Sequence, residues 1–204
     1  MPVRDYRQLS YVHCTAKLNG LEKEGGNMPP EIITERLRLR PLATSDLSAY
    51  QTIVSDPRVA QPAGVALPLS PQHAANSLRA DQQQPLAYAV TRRPAGPLIG
   101  TVIGYEHVGA LGTLDPTAVD LGYFLAPAFW GQGLMPEALT GLLTTLAHTA
   151  TPIQTIWATS LATNRRSQRV LSHLAFKLID DQMMVPNPAT MALERQLLYR
   201  YDLS

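Results

Sequence analysis

Cysteine is almost missing from this 204-residue chain; Cys14 is the single one. An intramolecular disulfide is therefore excluded, and the composition fits a reducing compartment. Charge of one sign is missing too. Seventeen Lys and Arg stand against sixteen Asp and Glu, a formal net charge of +1, so no basic field draws in nucleic acid or an anionic membrane surface. No apolar run reaches the roughly 20 residues of a membrane span, and the N-terminus lacks the apolar core of a signal peptide. There is no internal repeat. His148 and His173 fall in expected helices without a second ligand at metal spacing, so no metal is expected. The remainder predicts a soluble cytoplasmic protein whose 45% hydrophobic content suffices for one sizeable core.

What is present is organised around Ala128 to Leu139, A-F-W-G-Q-G-L-M-P-E-A-L. This stretch follows an expected strand, Val119 to Leu125, and opens an expected helix, Leu134 to His148. Gly131 and Gly133 lie between them, and Pro136 falls in the first helical turn, where its missing N–H costs little. A glycine-rich strand-to-helix turn aims several backbone N–H groups at one point, at the positive end of the helix dipole. That is a site for a phosphate. It is not a P-loop, because no Gly-Lys-Ser/Thr follows, and it lacks the third glycine of the dinucleotide fingerprint. Trp130 reads as a packing residue beside the turn, and Glu137 as a carboxylate that favours the helix N-terminus.

Along the chain, residues 1 to 27 show no convincing periodicity and are expected to be a poorly ordered extension. Translation starting at Met28 is one reading of that boundary. Thr34 to Leu42 alternates strictly, which predicts a half-buried strand with Leu37 and Leu39 inward and Arg36, Arg38 and Arg40 on a solvated face. Thr44-Ser45-Asp46 caps a helix to about Val54, which Asp56-Pro57 ends, and Ser70 caps another to about Gln83. Strands are expected at Leu86 to Thr91 and Leu98 to Tyr105, then a loop from Glu106 to Asp115. After the central strand and helix come a strand at Ile153 to Ser160, a helix at Asn164 to Leu174, and strands at Phe176 to Val185 and Leu193 to Tyr201. Pro186 to Met191 joins the last two.

A second signal is Asn164 to Phe176, N-R-R-S-Q-R-V-L-S-H-L-A-F. The turn W-G-Q-G-L followed by E-A-L, the opening T-E-R-L-R-L-R, and this N-x-x-S-x-x-V-L helix stand in the same order as in one known family. Over about residues 31 to 203 the chain resembles the GNAT superfamily of N-acetyltransferases, in particular the ribosomal-protein N-terminal (alanine) acetyltransferase branch. Ala175 departs from the pattern, standing where the family usually has glycine. The resemblance implies an α/β (α+β) acyl-CoA N-acyltransferase fold over residues 28 to 204, with a mixed, mostly antiparallel sheet of about seven strands and about four helices.

The resemblance also implies a chemistry. Acetyl-CoA would be the cosubstrate and a primary amine the acceptor, either a protein N-terminus or a small molecule, with no metal, nucleic acid or membrane partner and a monomeric or homodimeric state. Phe124, Leu125 and Ala126 would pair with pantetheine as a strand does. An N–H near Leu125 would hold the tetrahedral oxyanion. Gly131, Gln132, Gly133, Leu134 and Met135 would cradle the pyrophosphate, and Asn164 and Ser167 would meet the pantetheine arm. Asp120 is the expected base, with Glu106 and His107 in reserve. The family tyrosine, seven positions after the asparagine, is Leu171 here, so Ser167 becomes the acid candidate. The same features also fit a non-catalytic acyl-CoA-binding or sensing module.

Overall fold

The structure is a computed structural model that describes residues 30–67, 69–109, 111–148 and 151–203. The expected extension at residues 1 to 27 lies outside the described residues. Eight strands form one sheet: β1 Ile32–Ile33, β2 Leu37–Pro41, β3 Leu86–Arg92, β4 Leu98–Val108, β5 Leu114–Leu125, β6 Thr155–Leu161, β7 Lys177–Asn187 and β8 Ala192–Asp202. The helices are α1 Leu47–Val54, α2 Pro57–Ala60, α3 Pro71–Gln82, α4 Leu134–His148 and α5 Arg165–His173. The spatial strand order is β1-β2-β3-β4-β5-β6-β8-β7. All neighbours are antiparallel except β5 and β6.

The sheet is covered on both faces. Leu37, Leu39, Val119, Leu121 and Leu125 pack with the stripe Leu134, Leu139, Leu142 and Leu146 of α4 and with Leu171 of α5. On the opposite face Leu42, Ala87, Ala89 and Ile103 meet Tyr50, Ile53 and Val54 of α1 and Leu78 of α3. A buried carboxylate, Asp81, joins that layer. It accepts hydrogen bonds from the hydroxyls of Tyr50 and Tyr105, each at 2.9 Å. A third, smaller cluster of Ala118, Trp157, Met183, Val185 and Leu198 covers the β5–β6–β8–β7 end.

Four expectations need correction. The strand expected over Thr34 to Leu42 covers only Leu37–Pro41, and Thr34 to Arg36 form the turn of a tight hairpin in which Ile32 and Ile33 fold back on Leu39 and Arg38. Its arginines do not form a merely solvated face. Arg36, Arg38 and Arg40 each find a carboxylate, Glu137, Glu31 and Asp46 respectively, at 2.6 Å. The expected loop from Glu106 to Asp115 is mostly hairpin. β4 and β5 stay paired out to Val108↔Leu114, past an irregularity between Glu106 and His107. That irregularity absorbs the break in alternation that makes the segment read as a loop. Finally, Asp56 does not simply end α1. Its carboxylate accepts from the N–H of Arg58 at 2.9 Å and caps α2, with Pro57 at the first position.

Candidate active site

β5 positions the site, because its residues alternate between the two covered faces. Leu121, Tyr123 and Leu125 point into the α4–α5 layer. Phe124 packs in the α1–α3 layer, where its ring meets Tyr50 edge-on at 5.5 Å. β5 and β6 pair only from Ala118↔Thr155 to Leu121↔Ala158. Beyond that point each strand follows a different neighbour, β5 along β4 to Leu125 and β6 along β8 to Leu161. The two strands therefore splay.

A cavity of about 360 Å³ occupies the splay. Gly122 to Leu125 form one wall, and Thr159 to Leu161 form the other. One end lies at Gly131, Gly133 and the start of α4. Gly64 and Pro186 to Pro188 line another part of it, and Arg58 lines it as well.

At the first end, Gly131 and Gly133 take φ of +74° and +71°, the left-handed region in which a side chain is strained. The N–H of Glu137 is bonded to the Gly133 carbonyl at 3.1 Å. The amides before it are the orphan donors of a helix start, and Pro136 contributes none. The turn is held from outside. Glu137 accepts from the Thr34 hydroxyl (2.5 Å), the Arg36 N–H (2.8 Å) and the Arg36 Nε (2.6 Å), while the same guanidinium donates to the Gln132 carbonyl at 3.0 Å. Burial pushes the Glu137 carboxyl up, but these donors outweigh it and hold the pKa below the usual glutamate value. Glu137 thus does more than favour the helix dipole; it ties the β1–β2 hairpin to the glycine turn.

Trp130 donates its indole N–H to the Leu125 carbonyl at 2.7 Å, closing the turn back onto β5. The guanidinium of Arg166 lies 4.3 Å from its ring centroid and that of Arg58 5.9 Å. The Ala126 N–H is committed to the Ile99 carbonyl at 2.8 Å. In an antiparallel pair successive residues direct their amides to opposite sides, so the Leu125 N–H points away from β4, toward the splay.

At α5, the Asn164 Oδ1 accepts from the Ser167 N–H at 3.2 Å, an N-cap. The Ser167 Oγ lies 2.8 Å from the hydroxyl of Tyr123. On the other face of β5, the Asp120 Oδ1 is 2.9 Å from Nδ1 of His107. The His107 ring stacks on Trp157 with centroids 5.7 Å apart. This pair does not line the cavity; it lies one strand repeat from Gly122, which does.

A model of the GNAT acetyltransferase domain matches residues 36–177. The chain belongs to the GNAT acetyltransferase family. Several solved structures share the fold. An acetyltransferase from Salmonella typhimurium, described as modifying the N-terminal serine of the 50S ribosomal protein L7/L12, superposes with a TM-score of 0.70 at 18% identity, covering 86% of this chain and 100% of that one. An acetyltransferase from Agrobacterium tumefaciens gives 0.66 at 26% identity, covering 85% and 94%. The RimL ribosomal L7/L12 α-N-protein acetyltransferase in complex with coenzyme A gives 0.67 at 19%, covering 85% and 98%.

Within this GNAT domain the cavity gathers Phe124, Leu125, Gly131, Gly133, Leu134, Met135, Asn164 and Ser167. Ala126 and Gln132 stay outside its lining. Gln132 is exposed and donates its side-chain amide to the Ala128 carbonyl. Asp120 and His107, expected as base and reserve, stand together as one pair. Glu106 is not part of it; its backbone N–H meets the Gln84 side chain. Tyr123 was not singled out by sequence, although strand alternation puts it on the same face as Leu121 and Leu125. Among the described residues no group of three or more His, Cys, Asp or Glu is arranged to hold a metal ion, and no helix is long and apolar enough to cross a membrane.

Proposed function

We propose that this GNAT domain is an acetyl-CoA-dependent N-acetyltransferase. It transfers the acetyl group to a primary amine, of a protein N-terminus or a small molecule, by direct attack in a ternary complex. The observation that carries the reading is one cavity in the β5–β6 splay that is lined by the glycine turn and also by Gly64 and Pro188. The glycine turn suits a pyrophosphate, and the rest of the lining is where an acceptor would approach, so both substrates would meet in one site. Orientation of that kind supplies much of the acceleration in acyl transfer.

In this reading the N–H groups of Gly131 to Met135 bind the pyrophosphate, with Gln132 contributing backbone only. Pantetheine lies along Phe124 to Ala126, and because the Ala126 N–H is already bonded, Leu125 supplies the amide that faces the ligand. That amide also stabilises the tetrahedral oxyanion. Asn164 holds the first turn of α5 against the pantetheine arm, and Ser167 hydrogen-bonds the departing sulfur. Asp120 serves as base together with His107. A carboxylate-oriented imidazole is an arrangement able to take a proton, here from the attacking amine through one water. We place the protein in the cytoplasm as a monomer or homodimer, with residues 28 to 204 as the catalytic domain.

The test is thiol release from acetyl-CoA in the presence of a mixture of amines and peptides, with mass spectrometry of the acetylated products. Acceptor-dependent release supports the enzyme. Tight acetyl-CoA binding with no acceptor-dependent release across the panel would favour the alternative, a non-catalytic acyl-CoA-binding or sensing module.

A further inference from the structure

We propose that Tyr123 is a positioning residue that turns the Ser167 hydroxyl proton toward the sulfur of bound CoA. This rests on the acetyltransferase reading of the cavity. The Tyr123 hydroxyl is 2.8 Å from the Ser167 Oγ and 3.3 Å from the Ser167 carbonyl oxygen. Both side chains line the splay between β5 and β6. The Ser167 backbone N–H is separately fixed by Asn164, so the serine is held at two points and its hydroxyl proton is the remaining freedom.

A hydroxyl has one proton to give and two lone pairs with which to accept. If Tyr123 donates to the Ser167 Oγ, the serine proton is released from that contact and is free to point into the cavity. If the serine donates to Tyr123, it offers the cavity only a lone pair, which repels a thiolate. The 2.8 Å separation fits either donor direction. A thiolate in the cavity decides between them: it attracts the serine proton, and Tyr123 then donates to the vacated Oγ lone pair rather than to the Ser167 carbonyl, whose 3.3 Å is long for such a bond. Burial pushes the Tyr123 hydroxyl well above the usual tyrosine pKa, so the phenol keeps its proton in either arrangement and has it to donate.

The chemical step then balances without a tyrosinate. The amine nitrogen bonds to the acetyl carbon, the carbon–sulfur bond breaks, and its electron pair stays on sulfur. The nitrogen proton goes to the base. The Ser167 O–H hydrogen-bonds the new thiolate, which takes its proton from solvent on release.

The experiment measures the pKa of the CoA thiol in the binary complex by NMR, using CoA labelled with carbon-13 in its cysteamine arm. It compares wild type, Tyr123→Phe, Ser167→Ala and the double variant. A hydrogen bond to the thiolate lowers the thiol pKa by roughly half a unit to one unit. We expect that lowering in wild type and its loss in all three variants, with no further change from the second substitution in the double variant. In turnover, kcat for Tyr123→Phe falls about tenfold while the KM for acetyl-CoA hardly moves. A tyrosine that merely packs would change melting temperature or KM and leave the thiol pKa alone. Equal thiol pKa values in wild type and Tyr123→Phe overturn the proposal. Should that variant fail to fold, equal values in wild type and Ser167→Ala overturn it. Wild-type protein that does not bind CoA would overturn the functional reading and this inference together.

Discussion

The two faces of β5 do different work with different materials. On the α4–α5 face the strand offers Leu121, Tyr123 and Leu125, and the groups that the proposed reading directs at a ligand there are mostly backbone amides of the glycine turn. On the other face it offers Asp120 and Phe124, and each is defined by side chains that arrive from elsewhere, His107 and Trp157 around one and Tyr50 beside the other. Backbone sites need a fixed local sequence of glycines and a helix start. Side-chain sites need a fold that brings distant residues together. The glycine turn on the first face is therefore read from a contiguous motif, whereas the pairing of Asp120 with His107 on the second is read only from coordinates.

The largest test of that difference is on the side-chain face. Asp120→Asn is expected to lower turnover by about 10²- to 10⁴-fold and to leave acetyl-CoA binding intact. The loss should be greatest below about pH 8 and shrink as the amine deprotonates by itself, near pH 8 for an α-amine or near pH 10 for lysine. His107→Gln should follow the same profile if the two act as one unit. Rates that fall by a constant factor from pH 6 to 10, or not at all, would reduce the pair to a structural contact between β4 and β5.

Next is the backbone face. Gly133→Val places a branched side chain at φ +71°, where it is strained, and where the reading brings the pyrophosphate close. Its only near neighbour is the Arg36 guanidinium at 3.7 Å, so packing alone does not forbid it. Affinity for acetyl-CoA is expected to drop roughly tenfold to a hundredfold, with a folded protein by circular dichroism. Calorimetry giving an unchanged Kd would remove the pyrophosphate from this turn.

Glu137→Gln probes the external support of that turn. It removes the charge on which Thr34 and Arg36 converge and should cost about 1–2 kcal/mol of stability, with a smaller loss of CoA affinity. The pH dependence has a definite sign. The Glu137 carboxyl titrates below its unfolded value of about 4.5. Asp46 does so below 3.8, because burial, which raises it, is outweighed by Arg40 and the Ala43 N–H. The stabilisation is thus complete above these unfolded values and is lost as pH falls through the folded ones. Thermal melts from pH 6 down to pH 3 should show wild type converging on Glu137→Gln. A constant gap between the two would show that charge is not the cause.

Which parts were legible follows the same division. The stripe on α4, the cap at Ser70 and the strand feeding the glycine turn are local patterns, and each element lies where its periodicity puts it. The fold class follows from their order. The hairpin before Arg36, the extension of β4 and β5 beyond Tyr105 and the helix at Pro57 were not legible, because each depends on pairing or capping partners that alternation does not specify. Within the site, the residues of the glycine turn and of the Asn164 helix are adjacent in sequence and carry their own signature. The contact of Tyr123 with Ser167 spans 44 positions, and that of Arg36 with Glu137 spans 101. Neither leaves a trace in spacing.

The smallest expected effect is at the C-terminus of α5, where Ala175 replaces the glycine usual in the family. The structure gives Ala175 a φ of +60°. Its N–H bonds the Ser172 carbonyl at 3.1 Å, and the Phe176 N–H bonds the Leu171 carbonyl at 3.0 Å. This is the pair of bonds that closes a helix when the residue after its cap turns left-handed. Leu171 and Phe176, the two residues it brings together, both belong to the main core. The turn therefore forms despite the alanine, at a cost of about 1 kcal/mol for a Cβ in that region. Ala175→Gly relieves the strain but gives the unfolded chain more freedom, which offsets part of the gain. A net stabilisation of about 0.5 kcal/mol is expected, a rise in Tm of about 1–2 °C for a domain of this size. Turnover and CoA affinity should not change, since Ala175 does not line the cavity. A fall in Tm would show that the backbone here holds the alanine without strain, and that the departure from glycine costs the fold nothing.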